Sequence, residues 1–439
     1  MNKKLILIPV LIVVVGLVIN QIVNPDKTSE LGCNFTAQVP DCTPSGTSVG
    51  IKSQHLYIDF SGSMRGFIDF SGVADAKDAK STMLSTVTTY LDKLEASYNI
   101  KTVNHCGGKT YTKDEFRRQM QSKSIFNGGV TLLQDLVAEK CRVADDTTVV
   151  TIVSDMVLSY GRAKLNKEGD IYYNKHNLDG LNSVIHGAMT SLKQRELDVL
   201  LLQYYSHFNG NYYYNCTENI EGAGAYKGIV MEDRPFYIML IGKEDSLKDI
   251  LSKNCLKEAV NVYSSFGIED SDMKTVPFSI SESKETDYWT MGANCDAIGT
   301  FWTSTDLGKE KTTFVCSCDG FKIPAYLGCN SLSGECNVGD VDIASIRYDK
   351  RDETLDFNVT VKPFDQLGKS TEVDIRIISS NHWKDGASTD DDVNMSIDSL
   401  KGKTWGLSGV LEAMDKVFKS GKSYDGDMVG TFSFVLYKN

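Results

Sequence analysis

Positive charge is what this chain lacks. Lys and Arg number 46 against 58 Asp and Glu, a formal net charge of −12 over 439 residues. No basic stripe offsets that balance, which argues against nucleic acid as a partner, because phosphate binding needs concentrated positive charge. Histidine is scarce too: the six residues, at 55, 105, 176, 186, 207 and 382, form no His-Glu-x-x-His pair. Neither Ser61 nor Ser63 sits in Gly-x-Ser-x-Gly. With both hydrolase signatures missing there, the chain reads as a binding protein with no catalytic residues. The eleven cysteines include no Cys-x-x-Cys pair. Cys316 and Cys318, followed at irregular gaps by Cys329 and Cys336, make a poor zinc pattern, so disulfides in an oxidising compartment are the expected use.

Asn2-Lys3-Lys4 precedes an apolar run that reaches from residue 5 to residue 23, 19 positions long. That approaches the ~20 residues that span a bilayer. The reading is a single-pass signal anchor at residues 1–24, with Lys3 and Lys4 in the cytoplasm and the bulk of the chain outside it. A cleaved signal and a secreted chain are the alternative. Residues 25–50, rich in Pro, Ser, Thr and Gly, predict a stalk. Asn34, Asn215, Asn358 and Asn394 each begin a glycosylation sequon.

The densest chemistry lies at residues 55–64. Leu56, Tyr57 and Ile58 predict a short buried strand, and Asp59-Phe60-Ser61-Gly62-Ser63 follows it. One carboxylate and two hydroxyls thus stand at alternate positions, with Gly62 letting the backbone curl. In an open α/β sheet such a loop leaves the carboxyl end of its strand, where ligand sites form. Asn127-Gly128-Gly129-Val130-Thr131 opens a predicted helix at 131–142, and Thr131 lies 131 − 59 = 72 residues beyond Asp59. Residues 147–153 are a β-branched run ending in Ser154-Asp155, 155 − 131 = 24 residues farther on. A second copy, Asp69-Phe70-Ser71-Gly72-Val73, lacks the second serine and a preceding strand, and reads as a turn.

Together these segments resemble the metal-ion-dependent adhesion site of von Willebrand factor type A domains, whose signature is Asp-x-Ser-x-Ser with a distant Thr and a distant Asp. The resemblance covers residues 51–266. It implies a doubly wound, mainly parallel α/β sheet flanked by helices. It also implies Asp59, Ser61, Ser63, Thr131 and Asp155 as ligands of Mg²⁺, or of Mn²⁺ or Ca²⁺ in its place. The implied partner is a protein that offers an Asp or Glu carboxylate to an open coordination position. Such hard cations take oxygen ligands, Mg²⁺ at about 2.1 Å, and hydroxyls in the set leave the ion incompletely neutralised. Two departures stand out: Val130 separates the glycines from Thr131, and Met156 follows Asp155 where a glycine is frequent. The bland alternative is five polar residues capping helices and turns, or a purely structural cation.

The remainder of 51–266 alternates short apolar strands with helical segments. Helices are predicted at 74–99, 178–197 and 244–254, strands at 198–206 and 236–241, and a hairpin turn at Asn209-Gly210. Glu269-Asp270-Ser271-Asp272 marks the boundary to residues 273–439. There, alternation in Leu355-Phe357-Val359-Val361, Val373-Ile375-Ile377 and Phe432-Phe434-Leu436 predicts a mostly antiparallel, β-rich α+β domain with disulfides and one helix at 407–418. Asp390-Asp391-Asp392 reads as a solvated loop. The functional expectation is a membrane-anchored, extracytoplasmic adhesion protein. Its competitors are an envelope assembly component whose metal is structural or absent, and, more weakly, an envelope hydrolase.

Overall fold

The computed structural model describes residues 35–42, 50–68, 82–99, 102–105, 109–122, 126, 131–158, 175–213, 225–268, 272–282, 289–291, 297–300, 312–328, 331–361, 370–380, 386–389, 396–419 and 426–438. The apolar run at 5–23, the repeat at 69–73, residues 127–130, the triple aspartate and three of the four sequons lie outside them. Among the described residues no helix is long and apolar enough to cross a membrane, so the membrane-spanning helix of the sequence reading is not among the elements found.

The first strand, β1 (Phe35–Pro40), corrects the reading of 25–50 as a stalk, since it belongs to the second sheet described below. Strands β2 (Ser53–Ile58), β3 (Thr102–His105), β4 (Thr110–Thr112), β5 (Thr148–Ser154), β6 (Asp198–Tyr213), β7 (Ala225–Gly242) and β8 (Asn261–Ser264) form one sheet in the order β4-β3-β2-β5-β7-β6-β8. Helices α1 (Thr82–Tyr98), α2 (Lys113–Ser122), α3 (Leu133–Cys141), α4 (Lys175–Gln194) and α5 (Glu244–Ser252) connect and cover its strands. On one face, α1 drives Met83, Val87, Leu91 and Leu94 against Leu56, Ile58 and Leu240, and α5 adds Leu247 and Ile250. On the other, Leu136 and Val137 of α3 and Ile185, Met189 and Leu192 of α4 pack on Val150, Ile152 and Met239. The spacing of these residues at three and four positions gives each helix one apolar stripe, which only a sheet face can bury.

The sheet is not the mainly parallel, type A-like one expected. Only β2 pairs in parallel, with β3 and β5. β3–β4, β5–β7, β6–β7 and β6–β8 are antiparallel. The cause is the position of β7. After β5, α4 crosses over and β6 runs in the same direction, as in a βαβ unit. β7 then doubles back on β6 and inserts between it and β5. The apolar runs of β5 and of 236–241 report burial on both faces, which a central antiparallel strand shares with a parallel one. Nor is there a turn at Asn209-Gly210: β6 continues through it to Tyr213, which pairs with Ala225.

The second sheet is made by β1 with β9 (Met273–Glu282), β10 (Trp289–Met291), β11 (Ala297–Thr300), β12 (Thr312–Asp319), β13 (Ser331–Cys336), β14 (Val341–Asp349), β15 (Thr354–Val361), β16 (Ser370–Ser380) and, farther on, β19 (Gly426–Lys438). Eight of these strands follow the path β13-β16-β19-β1-β9-β12-β15-β14 and nearly close into a barrel. At the seam Gly334 of β13 abuts Ile343 of β14, where a Cβ on the glycine would lie 2.4 Å from Ile343 Cγ2. The inward residues of the predicted alternation, Leu355, Phe357, Val359, Val361, Val373, Ile375 and Phe432, fill its interior with Phe278 and Phe314. Between β16 and β19 the chain returns to the first unit. β17 (Ser388–Thr389) and β18 (Thr404–Trp405) flank α6 (Ile397–Leu400), and α7 (Leu407–Phe418) packs its Leu407, Leu411 and Met414 into the face covered by α4. The boundary at 273 therefore does not hold for the C-terminal helix.

The expected disulfides are not formed among the described cysteines. Cys42, Cys141, Cys255, Cys316, Cys318 and Cys336 are free thiols, and the other five cysteines lie outside the described residues.

Candidate metal centre

β2 and β5 lie side by side and parallel, with Ile58 paired to Val153. The Asp59 amide continues that ladder by donating to the Val153 carbonyl at 2.9 Å. Asp59 and Asp155 consequently leave the same edge of the sheet on adjacent strands, which is what parallel pairing in this register requires. Beyond Asp59 the chain tightens into a 3-10 helix at Gly62–Phe67. The Ser61 amide donates to Asp59 Oδ1 at 2.8 Å, and the Ser61 and Ser63 hydroxyls are 2.9 Å apart.

Thr131, directly ahead of α3, donates its hydroxyl to Asp59 Oδ1 at 2.6 Å. Ser63 hydrogen-bonds the Asp155 carboxylate. The structure thus brings all five residues of the sequence reading together, with the Ser61 amide linking Asp59 and Thr131 to the Ser61, Ser63 and Asp155 group, although three separate chain segments supply them. Asp59 and Asp155 are each 3% exposed, while Ser63 and Thr131 are half-buried. Burial pushes the Asp155 carboxyl upward; Arg234 opposes that shift, and the neighbouring Asp59 carboxylate adds to it.

Two residues escaped the sequence reading. Ser154 donates its hydroxyl to Asp59 Oδ2 at 3.0 Å and accepts from the Met156 amide at 3.1 Å. Arg234, 2% exposed, brings Nη2 to 3.6 Å from Asp155 Oδ2. The signal for Ser154 was its place beside Asp155. For Arg234 it was a cation abutting the apolar run 236–241, in a strand with no room for an unpaired charge. The His55 ring, on β2 ahead of the loop, stacks on Tyr57 at 6.3 Å between centroids.

The donor set suits a hard cation. Two buried carboxylates face three hydroxyls, a collection of oxygens with no soft ligand, of the kind that Mg²⁺, Mn²⁺ or Ca²⁺ accepts. Asp59 has no ion pair among the described residues, where its buried carboxyl group is met by the Thr131 and Ser154 hydroxyls and the Ser61 amide. Clusters of three or more His, Cys, Asp or Glu do not occur among the described residues, and any metal held here would rest mostly on neutral oxygen. No protein-family model matches the chain, and no curated protein matches it.

Proposed function

We propose that the chain is a binding protein whose Asp59, Ser61, Ser63, Thr131 and Asp155 hold a divalent cation, Mg²⁺ by preference, and present it to an Asp or Glu carboxylate of a protein partner. The observation that supports this most is the convergence of two buried acids and three hydroxyls on one edge of the sheet, with Ser63 and Thr131 partly exposed. A bound cation supplies Lewis acidity toward a carboxylate. The residues of this chain fix where that happens: Asp59 is oriented by Ser61, Thr131 and Ser154, and Asp155 by Ser63 and the Val157 amide. Binding is favoured over turnover because the Ser61 and Ser63 hydroxyls face each other and the carboxylates, with the His55 ring turned to Tyr57.

Calorimetry of the full chain with Mg²⁺ and Mn²⁺, alongside Asp59→Ala, tests the reading. Saturable binding by the wild type and none by the variant is expected; equal heats from both proteins refute it. Capture of partners in Mg²⁺ should fail in EDTA. No turnover of generic ester, peptide or phosphate substrates is expected.

A further inference from the structure

Arg234 is an unusual neighbour for a divalent-cation site. It lies on β7 opposite Ser206 of β6, and its side chain is 3% exposed. The guanidinium is seated 4.5 Å from the Tyr212 ring centroid and 5.9 Å from that of Phe208. Nη1 donates to the Lys403 carbonyl at 3.3 Å, and Nη2 reaches Asp155 at an ion-pair distance of 3.6 Å. Nε is buried and has no hydrogen-bond partner. A guanidinium fully out of water normally engages carboxylates through two parallel N–H bonds. Among the described residues this one makes a single long ion pair and leaves Nε without a partner, so it is held near Asp155 by its aromatic slot rather than by close pairing.

Building on the metal reading above, we propose that Arg234 is a resident cation that holds Asp155 when no divalent ion is bound and competes with that ion for the same carboxylate. The charge count makes the consequence concrete. With both carboxylates ionised, as a bound cation requires, they and one guanidinium sum to one net negative charge, and a divalent ion brings the set to one net positive charge. With a neutral side chain at 234, the loaded set would be neutral. Arg234 thus weakens metal binding in isolation and leaves the loaded site with a positive charge that an acidic partner meets. Metal and acid then support each other's binding, as linked ligands must.

Mn²⁺ titration calorimetry of the full-length wild type, Arg234→Met, Arg234→Gln and Arg234→Lys, with Asp59→Ala as control, tests this. The two neutral variants are expected to bind Mn²⁺ at least about tenfold more tightly than the wild type, and the lysine variant within about threefold of it. Metal-free Arg234→Met should also melt below the wild type, and saturating Mn²⁺ should narrow the gap. Neutral variants that bind no more tightly, with Asp59→Ala still abolishing binding, overturn the role of Arg234 and leave the metal reading standing. Absence of Mn²⁺ binding by the wild type removes both. In the wild type itself, Mg²⁺ should move the ring-current-shifted Nε–H resonance of the guanidinium over Tyr212; an unmoved signal also overturns the proposal.

Discussion

Met156 carries the clearest strain in the candidate site. Its φ is 57°, in the left-handed region, while its side chain is buried at 1% exposure beside Leu158. A left-handed residue with a Cβ costs about 1–2 kcal/mol, which glycine avoids. Replacing Met156 by Ala or Gly removes the same buried contacts, so the usual order of the two should invert. Met156→Gly is expected to be more stable than Met156→Ala by about 1 kcal/mol in urea unfolding. A strained residue one position after Asp155 is where a backbone shaped for binding would carry such a cost.

The five oxygen-bearing residues were legible because each follows a strand end or precedes a helix, and local pattern reveals such ends. Arg234 and Ser154 were not, because their roles depend on which strand lies next to β5, and periodicity carries no such information. The six described cysteines depart from the expected disulfides for a related reason, since thiol pairing is a matter of proximity, which spacing does not reveal. Burial raises the Cys141 and Cys318 thiols to about 12 and pushes Cys316 up as well. Alkylation of the native chain at pH 8 should spare these three, and peptide mapping after unfolding without reductant should find them as free thiols.

Among elements, helix α7 falls on the predicted residues 407–418, since a sharp apolar stripe needs no tertiary context to be read. β15 likewise shows its alternation residue by residue. The error at Asn209-Gly210 is instructive. The glycine serves a close approach: a Cβ on Gly210 would lie 2.8 Å from Gly66 Cα, and one on Gly66 would lie 2.3 Å from Phe208 Cε2. The 3-10 helix that follows Ser61 therefore rests its backbone directly on β6. Because backbone cannot step aside as a flexible side chain can, Gly210→Ala is expected to destabilise the chain by about 1–3 kcal/mol. Denaturant midpoints measure this, and Mn²⁺ affinity should fall with it if the Ser61–Ser63 loop moves. An unchanged midpoint would mean that β6 yields at little cost.

For the molecule as a whole, the two units share more than a linker. Trp405, Leu407, Val410, Leu411 and Met414 are all fully buried in the core that also contains Ile185, Met189 and Met239. Deleting them exposes apolar side chains each worth about 1.5–3 kcal/mol, a sum comparable to the entire ~5–15 kcal/mol of a domain. A fragment of residues 50–268 is therefore expected to show no cooperative thermal transition and to bind a hydrophobic dye, where the full chain melts sharply. A cooperative fragment would show that α7 is an accessory.

The neighbours of β1 give the same interdependence a direction in time. Ala37 sits opposite Val276 in β9 and opposite Phe432 in β19. As the chain emerges from a ribosome, this early segment can pair along one edge once β9 is made, but its other edge stays bare until β19 follows, at roughly 5–20 residues per second. The central α/β part meanwhile awaits its own late helix. Neither half can reach its final packing co-translationally, and an unaccompanied nascent chain would hold greasy strand edges bare throughout that interval, open to whatever chaperone reaches them first.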